Sequence, residues 1–247
     1  MILVNKNILI TGAGKGIGFS AVENCIKEDG YVYALVKSKE DIKKFANFKK
    51  NKLKIYIGDV RNTKLIKRIF SDSSKEKKPI NCLVNNAGIR FRKNFLSTTE
   101  QELQNVFSVN FFSIFFICQL FTKFQEKIHT QGAIVNISSI VGQTGFKELS
   151  VYGSSKGALI AFTKSLSVEL ASKKIRVNSI SPGFTKTSFF KKFKKKSKLY
   201  KWTLSRIPSD RWGDPDEISN MISFLLSDKA KYITGENHNV DGGWMSS

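Results

Sequence analysis

The segment NILITGAGKGIG, Asn7 to Gly18, joins two kinds of chain without a linker. Asn7 to Thr11 form a short apolar run of strand type. The glycine-rich turn TGAGKGIG, Thr11 to Gly18, then opens into helix-length amphipathic sequence. A strand that ends in glycines and feeds a helix is the start of a βαβ unit. The pattern recurs, with YVYALV (31 to 36), LKIYIG (53 to 58), NCLVN (81 to 85), AIVNIS (133 to 138) and IRVNSI (175 to 180) separated by helix-length stretches, and a last short strand is expected near His238 to Val240. Runs apolar on both faces suit a parallel sheet covered by helices on both sides. The expected class is therefore α/β. No internal repeat, Pro/Gly-rich linker or composition break marks a second domain, so residues 1 to 247 are read as one unit.

Composition narrows the class of function. Hydrophobic residues make up 41% and charged residues 25%, which is globular and argues against bulk disorder. The N-terminus runs directly into the first apolar run without the basic, apolar and small-residue regions of a signal peptide, so a cytoplasmic location is expected. Cys25, Cys82 and Cys118 follow no metal-ligand spacing and His129 and His238 are far apart, so neither disulfide nor metal is expected. The net charge of +21 raises nucleic acid as a partner. Only seven of the 41 basic residues are Arg, and Lys is scattered over nearly every polar segment, which reads as compositional preference; no nucleic-acid partner is expected.

Val106 to Phe124 carries seven phenylalanines but is interrupted by Asn110, Ser113 and Gln119, and it falls short of the ~20 apolar residues a membrane span requires. It reads as a buried helix, apolar round most of its circumference, with a face left for another subunit.

The glycine turn is the first chemical motif. Gly12, Gly16 and Gly18, with Gly14, Lys15 and Ile17, would let backbone N–H groups approach a pyrophosphate at the positive end of the following helix. A carboxylate at the end of the second strand would hold a ribose 2′-hydroxyl and select NAD. Val36 stands there and Lys37 follows, with Lys15 as a second cation, so NADP(H) is preferred and NAD(H) possible. Asp59, followed by Val60, ends the third run where it could accept from the adenine amino group.

The second motif is VYGSSK, Val151 to Lys156. Positions i and i+4 share a helix face, so Tyr152 and Lys156 project together, and the small residues between them leave space for a ligand. An adjacent ammonium is expected to lower the phenol from its ordinary value near ~10, fitting it to protonate a carbonyl oxygen as hydride reaches the carbon. Ser139 ends the fifth run thirteen residues earlier and could hold the same oxygen. NNAG, Asn85 to Gly88, ends the fourth run, SPGFTKT, Ser181 to Thr187, ends the sixth, and Asn110 brings a buried amide that must find partners.

Taken together these motifs resemble the short-chain dehydrogenase/reductase family from about Asn5 to the terminal NVDGGWMSS. The resemblance implies a Rossmann-type, doubly wound, seven-stranded parallel sheet of order 3-2-1-4-5-6-7, a homotetramer, and NAD(P)-dependent carbonyl reduction or alcohol oxidation. It implies a catalytic tetrad of Asn110, Ser139, Tyr152 and Lys156, with Lys156 also on the nicotinamide ribose and Asn110 holding a relay water. Asn86, Ala87, Gly88, Pro182, Gly183, Thr185 and Thr187 would line the cofactor, the two threonines toward the carboxamide. Within the family the chain looks most like 3-oxoacyl-[acyl-carrier-protein] reductases, through ITGENHNVDGG and ISPGFTKT. Arginines that would receive an acidic carrier protein are replaced here by Thr130 and Lys173.

Residues 186 to 206 fall where such a fold carries a substrate flap. The Lys and Phe residues of Phe189 to Lys201 suit an anionic substrate, a membrane surface or a mobile amphipathic cover. The expected activity is NADPH-dependent reduction of a small or carrier-bound 3-oxoacyl thioester or similar ketone. A sugar-derived or other small alcohol is one rival substrate class, and a non-enzymatic dinucleotide-sensing or nucleic-acid-binding protein is another reading.

Overall fold

The computed structural model describes every residue except Lys50 and Phe189, and the side chains of Lys191 and Lys192 also lie outside the description. Seven parallel strands form one sheet of order β3-β2-β1-β4-β5-β6-β7: β1 Asn7–Thr11, β2 Tyr31–Val36, β3 Leu53–Ile57, β4 Cys82–Asn85, β5 Gly132–Ile137, β6 Ile175–Pro182 and β7 Asn237–Val240. All the expected strands are present, in the expected order. β6 runs two residues beyond its apolar run because Ser181 and Pro182 pair with Asn239 and Val240. The order reverses between β1 and β4, which opens a crevice at the carboxyl ends of the strands.

Alternation along β1 explains why helices cover both faces. Ile8 and Ile10 point to one side, where they pack with Ala21, Val22 and Cys25 of α1 (Gly16–Lys27) and Ile218 and Ile222 of the last long helix. Leu9 points to the other side, against Ile66 and Ile69 of α2 (Thr63–Lys75), Phe121 and Leu159. Capping fixes where the helices begin. Asn62 accepts from Leu65 N–H at 3.0 Å to start α2, and Thr99 with Glu102 forms a capping box for α3 (Glu100–Phe107).

The phenylalanine-rich stretch is a helix interrupted by a wide turn. α3 passes into a π-type turn over Ser108–Phe112 and continues as α4 (Ser113–Ile128). By length and composition Glu100–Ile128 could cross a membrane. Its Ile114, Ile117, Cys118 and Phe121, however, are buried against the sheet, while Phe112, Phe115 and Phe116 are 49%, 40% and 49% exposed. One face is core and the other is an open aromatic surface, as expected from the sequence.

α5 (Ser150–Leu170) follows β5 and a short turn at Ile140–Gly142. After β6 come two short helices, α6 (Phe190–Lys194) and α7 (Ser197–Ser205), and then α8 (Pro215–Leu226). α6 and α7 are pinned by a third apolar cluster of Ile140, Phe193, Ile207, Trp212 and Trp244, with Trp212 Nε1 donating to Thr203 Oγ1 at 2.8 Å. Phe190 and Phe193 face Trp212, at 5.1 and 4.9 Å between ring centres, so the lysine-rich segment turns aromatics inward; Phe189, named in the same sequence expectation, lies outside the described residues.

Candidate active site

The end of β1 and the end of β4 are tied into one piece. Thr11 Oγ1 accepts N–H bonds from Asn86 and Ala87, both at 3.1 Å, and Asn86 Nδ2 donates to the carbonyls of Thr11 (3.1 Å) and Gly12 (3.0 Å). Gly12 adopts φ +64°, and a Cβ there would lie 2.8 Å from Ala87 Cα, so only glycine fits. Gly18 is needed for a different reason, because its Cβ would run into the Gly12 carbonyl and Asn86 Nδ2. Gly16 and Ile17, at the start of α1, line the crevice beside this turn.

Above this turn lies a cavity of about 850 Å³. Most residues singled out from the sequence line it: Gly12, Lys15, Gly16 and Ile17 of the turn, Lys37, Asp59 and Val60 at the strand ends, and Asn86, Ala87 and Gly88 after β4. Ser139, Tyr152, Lys156, Pro182, Gly183, Thr185 and Thr187 complete the set. Gly14, Gly18 and Asn110 are not part of its wall. Gly14 instead abuts the Asp41 side chain, and its carbonyl accepts from Lys44 Nζ at 2.7 Å.

At the end beside β2, Lys37 is exposed to the cavity, and Asp59 pairs with Arg61, which donates from Nε at 2.9 Å and from Nη2 at 2.7 Å. The Arg61 guanidinium, opposed by some burial, holds the Asp59 carboxyl at about 2. The sequence showed no carboxylate here apart from Asp59, yet Asp41, from the turn after β2, also reaches the wall. Ser38 Oγ donates to Asp41 Oδ2 at 3.4 Å and Lys44 Nζ to Oδ1 at 3.0 Å.

Tyr152 and Lys156 face the same cavity, with Nζ 6.0 Å from the phenol ring centre. Lys156 is 4% exposed and donates to the Ile137 carbonyl at 2.7 Å; burial pulls its ammonium down to about 8. The phenol does not follow the sequence expectation. Burial raises it above its ordinary value, opposed by a hydrogen bond with Ser139 and the charge of Arg90 and not by the Lys156 ammonium. The ammonium is turned toward Ile137 in the protein alone.

The small residues between Tyr152 and Lys156 also have a packing cause. A Cβ on Gly153 would lie 2.9 Å from the Val141 carbonyl, and Ser155 is fully buried, donating to the Tyr152 carbonyl at 2.7 Å. Gly153 and Ser155 are thus small because the Val141 turn and the buried hydrogen bonds leave no room for more. Ser155 Oγ in turn accepts from Asn110 Nδ2 at 3.1 Å. The Asn110 amide is fully buried and also closes a two-way link with Ile89, accepting from its N–H at 2.8 Å and donating to its carbonyl at 3.0 Å. Asn110 thus stands behind Gly88 and Ile89 and couples the β4 loop to α5.

Sequence reading missed Arg90, Asp41, Phe146, Leu149, Phe184 and Trp212 on the cavity wall, Asp41 from the 3-10 turn Lys39–Phe45 and the others from loops. It also placed a positive charge at Lys173, but that ammonium is ion-paired with Glu126.

A family profile described as enoyl-(acyl carrier protein) reductase matches residues 12–245. The 3-oxoacyl-[acyl-carrier-protein] reductase FabG of Thermotoga maritima is 35% identical over 246 residues, 98% of this chain and 99% of its own. Among solved structures, a 4-hydroxyisoleucine dehydrogenase complexed with NADH superposes with a TM-score of 0.91 at 32% identity, covering 98% of this chain and 99% of the other. ElxO with NADP bound also scores 0.91, at 30% identity over the whole of both chains.

Proposed function

The chain belongs to the short-chain dehydrogenase/reductase family and is an oxidoreductase acting on CH–OH groups with NAD(P), and from that premise we propose that it is an NADPH-preferring reductase of 3-oxoacyl thioesters or similar ketones. The observation that carries this reading is the convergence of Ser139, Tyr152 and Lys156 on one wall of a cavity whose far end is the glycine turn. The glycine cradle at Gly12 and the start of α1 fit a pyrophosphate. Lys15 and Lys37 fit a 2′-phosphate and support NADP over NAD, and the loops at Asn86–Gly88 and Pro182–Thr187 flank the nicotinamide half. A nicotinamide bound there supplies the hydride to the carbonyl carbon, or accepts it in the reverse direction.

The protein's own groups handle the proton. Ser139 and the Tyr152 hydroxyl hold the carbonyl oxygen, and Tyr152 gives its proton to that oxygen as negative charge develops. Lys156, on the same wall, would hold the nicotinamide ribose, and its positive charge beside the phenolate would make that loss easier. Asn110 fixes the Ile89 backbone behind the site.

The chain acts as one domain. Residues 186 to 206 form the cover of the substrate, and the exposed Phe112, Phe115 and Phe116 pack against a second copy within a cytoplasmic homotetramer. A second reading, NAD-dependent oxidation of a small or sugar-derived alcohol, is favoured by Asp41, whose carboxylate at the β2 end could hold a ribose hydroxyl. The test is loss of reduced-cofactor absorbance with NADPH or NADH and a ketone panel that includes a short 3-oxoacyl thioester. Tyr152→Phe should abolish turnover and leave NADPH binding nearly intact. Turnover surviving in that variant would show that the proton donor is another group.

A further inference from the structure

An apolar patch borders the two groups that hold the carbonyl oxygen in the proposed function. Ile140 and Val141 follow Ser139 directly, and Val141 N–H donates to Ser139 Oγ at 3.2 Å. Leu149 stands three residues before Tyr152, and its carbonyl accepts from Gly153 N–H at 2.7 Å. All three line the cavity together with Phe146, Phe184 and Trp212.

The patch is held from behind. Phe146 stacks on Trp244, with ring centres 5.8 Å apart and planes 24° apart, and Phe184 packs at 5.0 Å against both Trp212 and Trp244. Those two indoles are buried, whereas Phe146 and Phe184 keep part of their surface open. Ile140, Val141, Phe146 and Phe184 belong to the same apolar cluster as the indoles. The patch also spends its polar groups within the protein. Trp212 Nε1 donates to Thr203, and the carbonyls of Ile140, Phe146, Leu149 and Phe184 accept from the N–H groups of Gln143, Leu149, Gly153 and Gly213. A ligand hydroxyl set against this surface would lose water without gaining a partner, while an apolar ring would gain by leaving water.

We propose that the substrate ketone carries an apolar group of ring size, and that this group lies on the Phe146–Phe184 surface while the carbonyl oxygen lies at Ser139 and Tyr152. The inference rests on the reading of the cavity as a ketone-reducing site, and it names the side group that the ketone brings there. Aromatic side chains packed in stacked and tilted pairs offer a substrate ring the same contacts they make with one another. The reaction is unchanged: the carbonyl carbon takes hydride from NADPH, leaving NADP+, and the oxygen takes the Tyr152 proton. The ring undergoes no chemistry.

The experiment compares ethyl 3-oxo-4-phenylbutanoate with ethyl acetoacetate, which share the 3-oxo ester and differ by benzyl against methyl. kcat/KM is measured with NADPH in the wild type, Phe146→Ala and Phe146→Leu. Kd for both esters is measured by ligand-observed NMR on the NADP+ complex, without turnover. Burial of roughly half the ring predicts a benzyl preference of about tenfold in the wild type, in Kd and in kcat/KM alike. The preference should fall to about threefold in Phe146→Ala and stay nearly whole in Phe146→Leu. Fluorescence titration with NADPH checks that each variant is folded. No benzyl preference in the wild type, or a preference untouched by Phe146→Ala, overturns the inference whatever the turnover. A benzyl preference in Kd that Phe146→Ala lowers, with neither ester reduced by NADPH or NADH, supports the apolar seat and refutes the reductase reading.

Discussion

Lys156→Met should make the protein without nucleotide more stable at neutral pH while ending turnover. The ammonium is 4% exposed and donates to the Ile137 carbonyl, and burial holds it at about 8 against the ordinary 10.5. For a lysine lowered in this way the charged form is the one the fold disfavours. Below pH ~8 both folded and unfolded chains carry the proton, and the fold bears the whole penalty, roughly 3 kcal/mol. Between pH ~8 and ~10.5 the folded chain has released the proton and the unfolded chain has not, so stability rises with pH; above that window both are neutral and the penalty is gone.

Methionine keeps the volume and removes the charge, at the cost of about 1 kcal/mol for the acceptor left at Ile137. The variant should therefore be about 2 kcal/mol more stable than the wild type at pH 7, equivalent to a rise in Tm of roughly 4–8 °C for a chain of this length, with the difference near zero at pH 10. Urea unfolding followed by tryptophan fluorescence at the two pH values measures the difference, and other titrating groups cancel between the two proteins. A variant less stable than the wild type at pH 7, or a difference that does not change with pH, would refute the reasoning.

Other substitutions test neighbouring parts of the site. Asn110→Ala removes three buried hydrogen bonds, to Ile89 N–H, Ile89 carbonyl and Ser155 Oγ, and should cost roughly 3 kcal/mol in denaturant unfolding as well as turnover. Gly12→Ala forces a side chain into φ +64° and against the Ala87 backbone, so NADPH affinity by fluorescence titration should fall at least about tenfold. Lys37→Glu should lower the NADPH-to-NADH ratio of kcat/KM by about ten- to hundredfold; an unchanged ratio would mean that Lys37 does not meet the 2′-phosphate.

How much of this was legible in the sequence depended on whether the signal was local. NILIT and IRVNSI declare themselves as strands because a buried parallel strand needs little beyond a short apolar run, and Tyr152 and Lys156 declare a shared face because a helix has a fixed period. Spacing does not say which acceptor a long side chain finds. The Ile137 carbonyl, from a different element, takes the Lys156 ammonium, and Arg90 and Ser139 take over the influence on the phenol. Asp41 was hidden for the same reason: it follows β2 by a few residues, yet its relation to Gly14 exists only once the turn of residues 39 to 45 folds back over the first loop. Gly153 and Ser155 were visible as small residues, but whether their smallness served a ligand or a neighbouring turn was a question of tertiary packing.

With the coenzyme bound as proposed, the bond from Lys44 to the Gly14 carbonyl would make coenzyme choice and coenzyme grip inseparable. In the proposed function, the stretch after β2 that would distinguish one adenosine ribose from another is also a clasp on the glycine turn that would receive the diphosphate. Grafting that stretch from an NADH-using relative would swap the discriminating side chains and cut the clasp in the same operation. Affinity for both coenzymes would drop together unless a lysine is retained at position 44, so re-engineering should proceed by point changes at Lys37 and Ser38 and not by segment exchange.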